Sequence, residues 1–393
     1  MINFCYEKKI GDFFVPNGTP DELIKKMTNR NPEEIFYNGC VQEDTGLESP
    51  VYHCEHYINL LYLKDISYCR KLVTDIKDEF YYYPISPYGS QNGFLELDEG
   101  QIHYSFIKSM SDKVINDLKL DKCKIIIDTM SEGHGFDTGW IKQLHKLIDS
   151  VDIPRKNVYY LTSNNKYKQT YCNIFKSQPK INVLEFTYFE SVVYEQFILE
   201  KKNINFKDTN RDKYFLSFNR AVKPHRKELV HFLKSQHLLD KGYISYYPEK
   251  LYVDIEITED SEKNMASNIG GDIFYNNSYF NIVTETCFYE DTIFLSEKTF
   301  KSIIHLHPFI LYSTPYTLKY LRSLGYKTFG NFIDESYDEI EDNEKRIQIL
   351  NKEVKRLCNL SLQQLHKNYI DIKDILLYNF EHFKKTKERI ITL

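Results

Sequence analysis

Short apolar runs recur from about residue 122, each closed by a polar turn and followed by a stretch with helical apolar spacing. Residues 124–128 (KIIID), 157–161 (NVYYL) and 182–186 (NVLEF) read as buried strands, with helices predicted over 138–151 and 166–175. The alternation resumes with a strand at 214–218, a helix over 225–235, strands at 280–283 and 309–312, and a helix over 297–305 between those two. A helix over 317–324 stops at Gly325, and beyond Asp342 the pattern predicts two helices separated near 359–362. Strands alternating with helices imply parallel βαβ units. The first hundred or so residues read as short strands and loops. They include a helix over 20–27, with Thr19 as N-cap and Pro20 at the first position, and a loop-like 81–94 rich in Tyr, Pro, Gly and Ser. The charged, apolar-poor segment 199–213 reads as a linker between two α/β domains, which would meet at a cleft.

Composition narrows the class. Of 393 residues, 42% are hydrophobic and 27% charged, which is globular, and a net charge of −5 argues against a dedicated nucleic-acid binder. The eight cysteines are scattered without C-x-x-C spacing, so neither a zinc site nor a redox motif is signalled. The amino terminus carries charges where a signal peptide needs an apolar core, and no run approaches the length of a membrane span. The expected location is cytoplasmic. No G-x-G-x-x-G follows a strand and no P-loop is present, which lowers dehydrogenase and phosphotransferase readings.

Two segments carry candidate chemistry. In the first, the strand ending Phe218-Asn219 runs into a basic turn, with Arg220 suited to a bidentate phosphate contact and Arg226 in the helix that follows. Alone, such residues equally suit a solvated surface turn. In the second, a strand ends at Glu285, an acidic loop follows, and a helix opens with Ser296-Glu297-Lys298. Strand ends and helix starts of this kind are where open α/β sheets bind ligands, and a helix amino terminus suits a phosphate. Lys298 adds a charge there, and Glu297 can accept from ribose hydroxyls.

The pair of segments resembles the donor-binding domain of GT-B glycosyltransferases, and within them the α1,3-fucosyltransferase-type donor motif. The matching residues are Thr284-Glu285-Thr286, Ser296-Glu297-Lys298 and His307-Pro308-Phe309-Ile310. The continuation through residues 321–338 resembles glycosyltransferase-like proteins of phages and large DNA viruses, which would place the protein in a host cytoplasm. The likeness covers roughly residues 213–346; Thr286 stands where the family has Asn. It implies an α/β, GT-B-like fold of two Rossmann-like domains facing a cleft, with a helical C-terminal tail. The domains would be 1–206 on the acceptor side, 207–345 for the donor, and 346–393 as helices packing back on the amino domain. It also implies a nucleotide-sugar as substrate, no cofactor, and no obligatory metal. Arg220 and Lys298 become pyrophosphate ligands, Glu297 takes the ribose, and Glu285 lies near the sugar or the basic ligands. The acceptor would be a glycan, a protein or a modified nucleobase. A catalytically inactive sugar-nucleotide or glycan-binding protein is the alternative.

An inverting transfer needs a general base, expected from the amino domain. The turn after strand 124–128 offers Glu132 first and His134 second, with Asp128 orienting the loop; the same residues also suit a turn that is merely structural. The remaining groups read as bland. His305 and His307, two apart at a helix end, are not read as a metal site, Trp140 anchors its helix in the core, Gly270-Gly271 is a turn, and the acidic run 334–344 is a solvated loop and helix start.

Overall fold

The computed structural model describes residues 2–6, 57, 60, 61, 63–85, 110–130, 133–254 and 271–393. The predicted helix 20–27, residues 86–94 of the predicted loop, and Ser131 and Glu132 lie outside the described residues. The chain forms two compact units, Met1–Phe186 with Thr392–Leu393, and Thr187–Ile391.

The first unit is built on a six-stranded sheet, β1 (Ile2–Tyr6), β2 (Tyr68–Leu72), β3 (Tyr81–Ile85), β4 (Cys123–Thr129), β5 (Val158–Thr162) and β6 (Asn182–Glu185). The order is 2-1-3-4-5-6 and every pairing is parallel. Helices α1 (Asp112–Lys119), α2 (Thr138–Ser150) and α3 (Tyr167–Ile174) accompany it among the described residues. Asp137 caps α2 by accepting from the Trp140 amide, and Trp140, Ile141, Leu144 and Ile148 then fall on one buried stripe. That stripe joins Tyr83, Ile125, Ile127 and Tyr160 of the sheet in one core. The segment read as a loop from residue 81 starts with β3, an interior strand. Its YYYPI sequence has Pro84 in the ladder, which hid the strand from a reading based on turn residues.

The second unit holds α4 (Tyr188–Leu199), β7 (Lys213–Asn219), α5 (Pro224–Ser235), β8 (Gly242–Tyr246), β9 (Leu251–Val253), α6 (Asp272–Asn276), β10 (Ser278–Thr284), α7 (Glu297–Ile304), β11 (Phe309–Tyr312) and α8 (Thr317–Ser323). Helices α9 (Asn343–Cys358), α10 (Leu362–Asp371), α11 (Lys373–Phe383) and α12 (Thr386–Arg389) complete it, in place of the two expected. Its sheet order is 11-10-7-8-9, parallel except for β9. Strand β8 was hidden by its sequence, GYISY, which has only one aliphatic residue. Its Gly242 is required by packing, since a Cβ there would meet the Phe215 ring at 2.4 Å. Gly325 ends α8 with φ +95, as the sequence predicts.

Two successive Rossmann-like α/β units with a helical C-terminal part are the GT-B-like class. The division falls at residues 186/187, ahead of the linker expected at 199–213. Helix α4 belongs to the second unit because its buried Val193 and Phe197 enter that unit's core. The tail helices, expected on the amino domain, enter the same core through Leu350, Leu357, Leu376 and Phe383.

Candidate functional site

In the second unit the chain runs from β7 through α5 to β8 on one side, and later from β10 through α7 to β11 on the other. The strand order therefore reverses between β7 and β10. Right-handed crossovers in opposite directions put α5 and α7 on opposite faces of the sheet, and their amino ends flank the carboxyl ends of these two strands. The strand ends are tied together. Thr284 Oγ1 donates to Asn219 Oδ1 at 2.6 Å, and Asn219 Nδ2 donates to Ser217 Oγ at 3.0 Å.

On the α5 side, Arg220 is exposed and makes no ion pair or side-chain hydrogen bond among the described residues. Lys223 is the N-cap of α5 and, having no acceptor, caps nothing; Pro224 follows in the first turn. This helix start thus keeps open amides beside two cations. Arg226 is used differently. It is 4% exposed and donates to the carbonyls of Ala221 and Thr284 at 3.2 Å, which clamps the two strand ends. His225 donates to the Glu285 carbonyl at 2.9 Å and lies stacked on Phe288. Burial, together with Arg226, pushes its pKa down to about 3, so it is neutral.

On the α7 side, Glu285 is fully buried. Its carboxylate accepts from the Ser296 amide at 3.2 Å and from Thr299 Oγ1 at 2.6 Å, closing the neck of loop 286–295. Ser296 caps α7 by accepting from the Lys298 amide. The amides expected to be free for a phosphate at this helix are thus partly taken by Glu285 and Ser296, and the open helix start is that of α5. Arg346, 1% exposed, holds the loop from α9, donating to the Phe288 carbonyl at 2.8 Å and lying 4.4 Å from its ring.

Lys298 Nζ is 2.9 Å from Glu297 Oε1 and 3.1 Å from Ser296 Oγ. Glu297 is 9% exposed; burial raises its pKa, but Lys298 and Lys301 outweigh that and hold it below the usual carboxylate range. The two helix starts sense each other, since both Lys223 and Lys298 depress His225 and Glu297 acts on Arg226. The sequence reading places Lys223 in the basic turn without a role of its own, and gives Lys301 none. The signals were present, a lysine in the basic turn and a lysine four residues after Glu297 on one helix.

In the first unit, Asp128 is the last residue but one of β4 and is 1% exposed. Its carboxylate accepts from the amides of Met130 (3.1 Å) and Tyr57 (3.3 Å), which shapes the turn. His134 is half-buried, and its carbonyl accepts from Asn164 Nδ2 at 2.9 Å. Trp140 is buried against Tyr160, as expected.

Of the acidic run 334–344, Asp334, Glu339, Glu341, Asp342 and Glu344 are exposed and Asp342 caps α9, as expected, while Asp338 and Glu335 are drawn inward. Asp338 is 3% exposed and accepts from the amides of Leu318 and Lys319, capping α8, while Glu335 accepts from Thr328 Oγ1 at 2.8 Å. An acidic stretch facing a helix amino terminus is stabilised there, which composition alone does not reveal. His305 stacks on Tyr275 at 4.1 Å and His307 bonds to the Ser278 carbonyl at 2.7 Å, so both are core histidines. Among the described residues no group of three His, Cys, Asp or Glu side chains could hold a metal ion. No described helix is long and apolar enough to cross a membrane.

No family model and no curated protein matches the chain. Among solved structures it is similar to a phage T4 BGT mutant in complex with UDP-glucose, at 8% identity over 88% of this chain and 95% of that one, with a TM-score of 0.34.

Proposed function

We propose that this protein is a glycosyltransferase that moves a sugar from a nucleotide-sugar donor to an acceptor hydroxyl, with the donor held at the β7/β10 edge of the second unit. One observation carries the reading. Two cation-bearing helix starts, Arg220 and Lys223 before α5 and Lys298 on α7, flank the strand ends where the sheet order reverses. Ligands of open α/β sheets bind at such points. In the transfer, the sugar–phosphate bond breaks and negative charge collects on the departing nucleoside diphosphate. Arg220 and Lys298 stabilise that charge, with the open α5 amides beside them. Glu297 takes the ribose hydroxyls. Arg226, Glu285 and Ser296 serve the donor by fixing the strand ends, the loop neck and the α7 cap.

The transfer is proposed to invert configuration, and the side-chain cations supply the electrostatics without an added metal. The general base is assigned to the turn after β4, to Glu132 first and His134 second, with Asp128 holding the turn. The sugar transferred is a hexose or pentose, and the acceptor a glycan, a protein or a modified nucleobase.

A thermal-shift screen with UDP-, GDP-, CMP- and dTDP-sugars tests the donor. Stabilisation by one base class, followed by release of its nucleoside diphosphate when an acceptor and EDTA are present, supports the reading. Stabilisation with no turnover across varied acceptors would make the protein a sugar-nucleotide binder instead. No stabilisation by any of them would overturn it.

A further inference from the structure

Tyr289, in loop 286–295, is held on several sides yet stays 40% exposed. Its hydroxyl donates to Glu228 Oε1 at 3.0 Å and its amide to Glu290 Oε2 at 3.0 Å, while its ring meets that of Phe288 edge-on at 5.0 Å. Phe288 is itself buried, stacked on His225 and covered by Arg346. The Tyr289 ring also lies 6.2 Å from the ring of His225, the second residue of α5. Glu228 is exposed and stands four residues after the exposed Pro224, on the same face of that helix. Apart from the bond from Tyr289, it makes no hydrogen bond or ion pair among the described residues. A fixed aromatic ring with an open side and an exposed carboxylate thus stand together at the start of α5. Immobilising such side chains costs conformational entropy, and here they are ordered before a ligand arrives.

A nucleotide-sugar is a chain of fixed order: ribose, diphosphate, sugar. With the ribose on Glu297 of α7 and the diphosphate reaching across to Arg220 and the open α5 amides, the sugar continues on the α5 side. We propose that Tyr289 and Glu228 form the subsite for the transferred sugar, the ring packing against its C–H face and the carboxylate accepting from its hydroxyls. The inference rests on the donor site proposed above. An aromatic face carries partial negative charge, which suits the C–H groups on the face of a sugar ring. A carboxylate is a strong acceptor for the hydroxyls around its rim.

Titration calorimetry of the full chain tests this, with UDP, GDP and dTDP set against UDP-glucose, UDP-xylose, GDP-mannose, GDP-fucose and dTDP-glucose. For whichever base binds, Tyr289→Ala should weaken the nucleotide-sugar about tenfold and leave the sugar-free nucleotide within about twofold. Tyr289→Phe should recover most of that loss, because it keeps the ring. Glu228→Ala should weaken the nucleotide-sugar about tenfold. These last two variants break the same Tyr289–Glu228 bond, so a role confined to pinning the loop predicts equal losses in both. Equal losses would overturn the proposal. So would a Tyr289→Ala protein that loses the nucleotide and the nucleotide-sugar alike, or unchanged nucleotide-sugar affinity in Tyr289→Ala or Glu228→Ala. In each of these cases the wild-type protein still binds its donor, and the donor-site reading stands. Glu228 is exposed, so its variant and Tyr289→Phe decide the matter even if Tyr289→Ala fails to fold. If the wild-type protein binds none of these nucleotide-sugars, the donor-site reading fails, and this inference with it.

Discussion

At the scale of single residues, cations at the β7/β10 edge divide by what surrounds them. Arg226 and Arg346 are buried and donate to backbone carbonyls, so they hold the protein together. Arg220 is exposed, and among the described residues Lys298 Nζ is engaged only by Glu297 and Ser296, so neither side chain is tied to the backbone as a clamp. Arg220→Ala, with the melting temperature unchanged, and Lys298→Ala should each weaken nucleoside diphosphate binding by about tenfold or more. Titration calorimetry checks this, and wild-type affinity in either variant would remove that residue from the site. For the base, Glu132→Gln should abolish transfer while leaving donor affinity intact. If His134 is the base instead, His134→Ala becomes the damaging change, and activity falls below about pH 6.5, where an unperturbed imidazole takes up its proton. The sequence showed which residue types meet at this edge but not how they are used. Arg220 and Arg226 look alike in a string of letters. Only packing makes one a clamp and leaves the other in solvent.

At the scale of elements, strands with aliphatic or Phe-rich runs were legible. The predicted 124–128, 214–218 and 309–312 fall on β4, β7 and β11, and the helix starting at residue 297 is α7. Among the strands that escaped, β3 and β8 are built from Tyr with Pro or Gly, residues that read as turn formers until burial on both sides is known. Helix α4 escaped because its apolar residues are spread around it rather than on one face: Val193 and Phe197 are buried while Ile198 and Leu199 are exposed. Loop 286–295 leads from β10 into α7 and is held at its neck by Glu285 and from α9 by Arg346. Arg346→Met would take the donor from the buried carbonyls of Ser313 and Phe288 and should lower stability by about 3 kcal/mol or more. Urea unfolding measures that loss. A loss below about 1 kcal/mol would mean that the loop does not depend on this tether.

At the scale of the whole molecule, three buried histidines set a pH dependence. His145 in the first unit is pushed down to about 4 and His225 in the second to about 3, both by burial first, and His307 lies well below its usual value for the same reason. Each is neutral when folded, whereas in the unfolded chain each binds a proton below about pH 6.5. Stability is therefore full above that pH and is lost as pH falls toward the folded values, by about 1.4 kcal/mol per pH unit for each histidine. The melting temperature should fall steadily from pH 7 to pH 5; a flat profile over that interval would contradict the assignment. The two-domain α/β architecture was legible from the alternation of strands and helices. The division at residues 186/187 was not, because a charged segment marks an exposed stretch of chain, whereas the units are separated by which core each helix enters.

The central claim is that a nucleotide-sugar occupies the β7/β10 edge of the second unit. Amide hydrogen exchange, with and without the sugar nucleotide that stabilises the protein, tests it most directly. The amides of residues 220–226 and 296–301 should exchange more slowly in the bound protein than in the free one. Protection that appears elsewhere and spares both of these segments would contradict it.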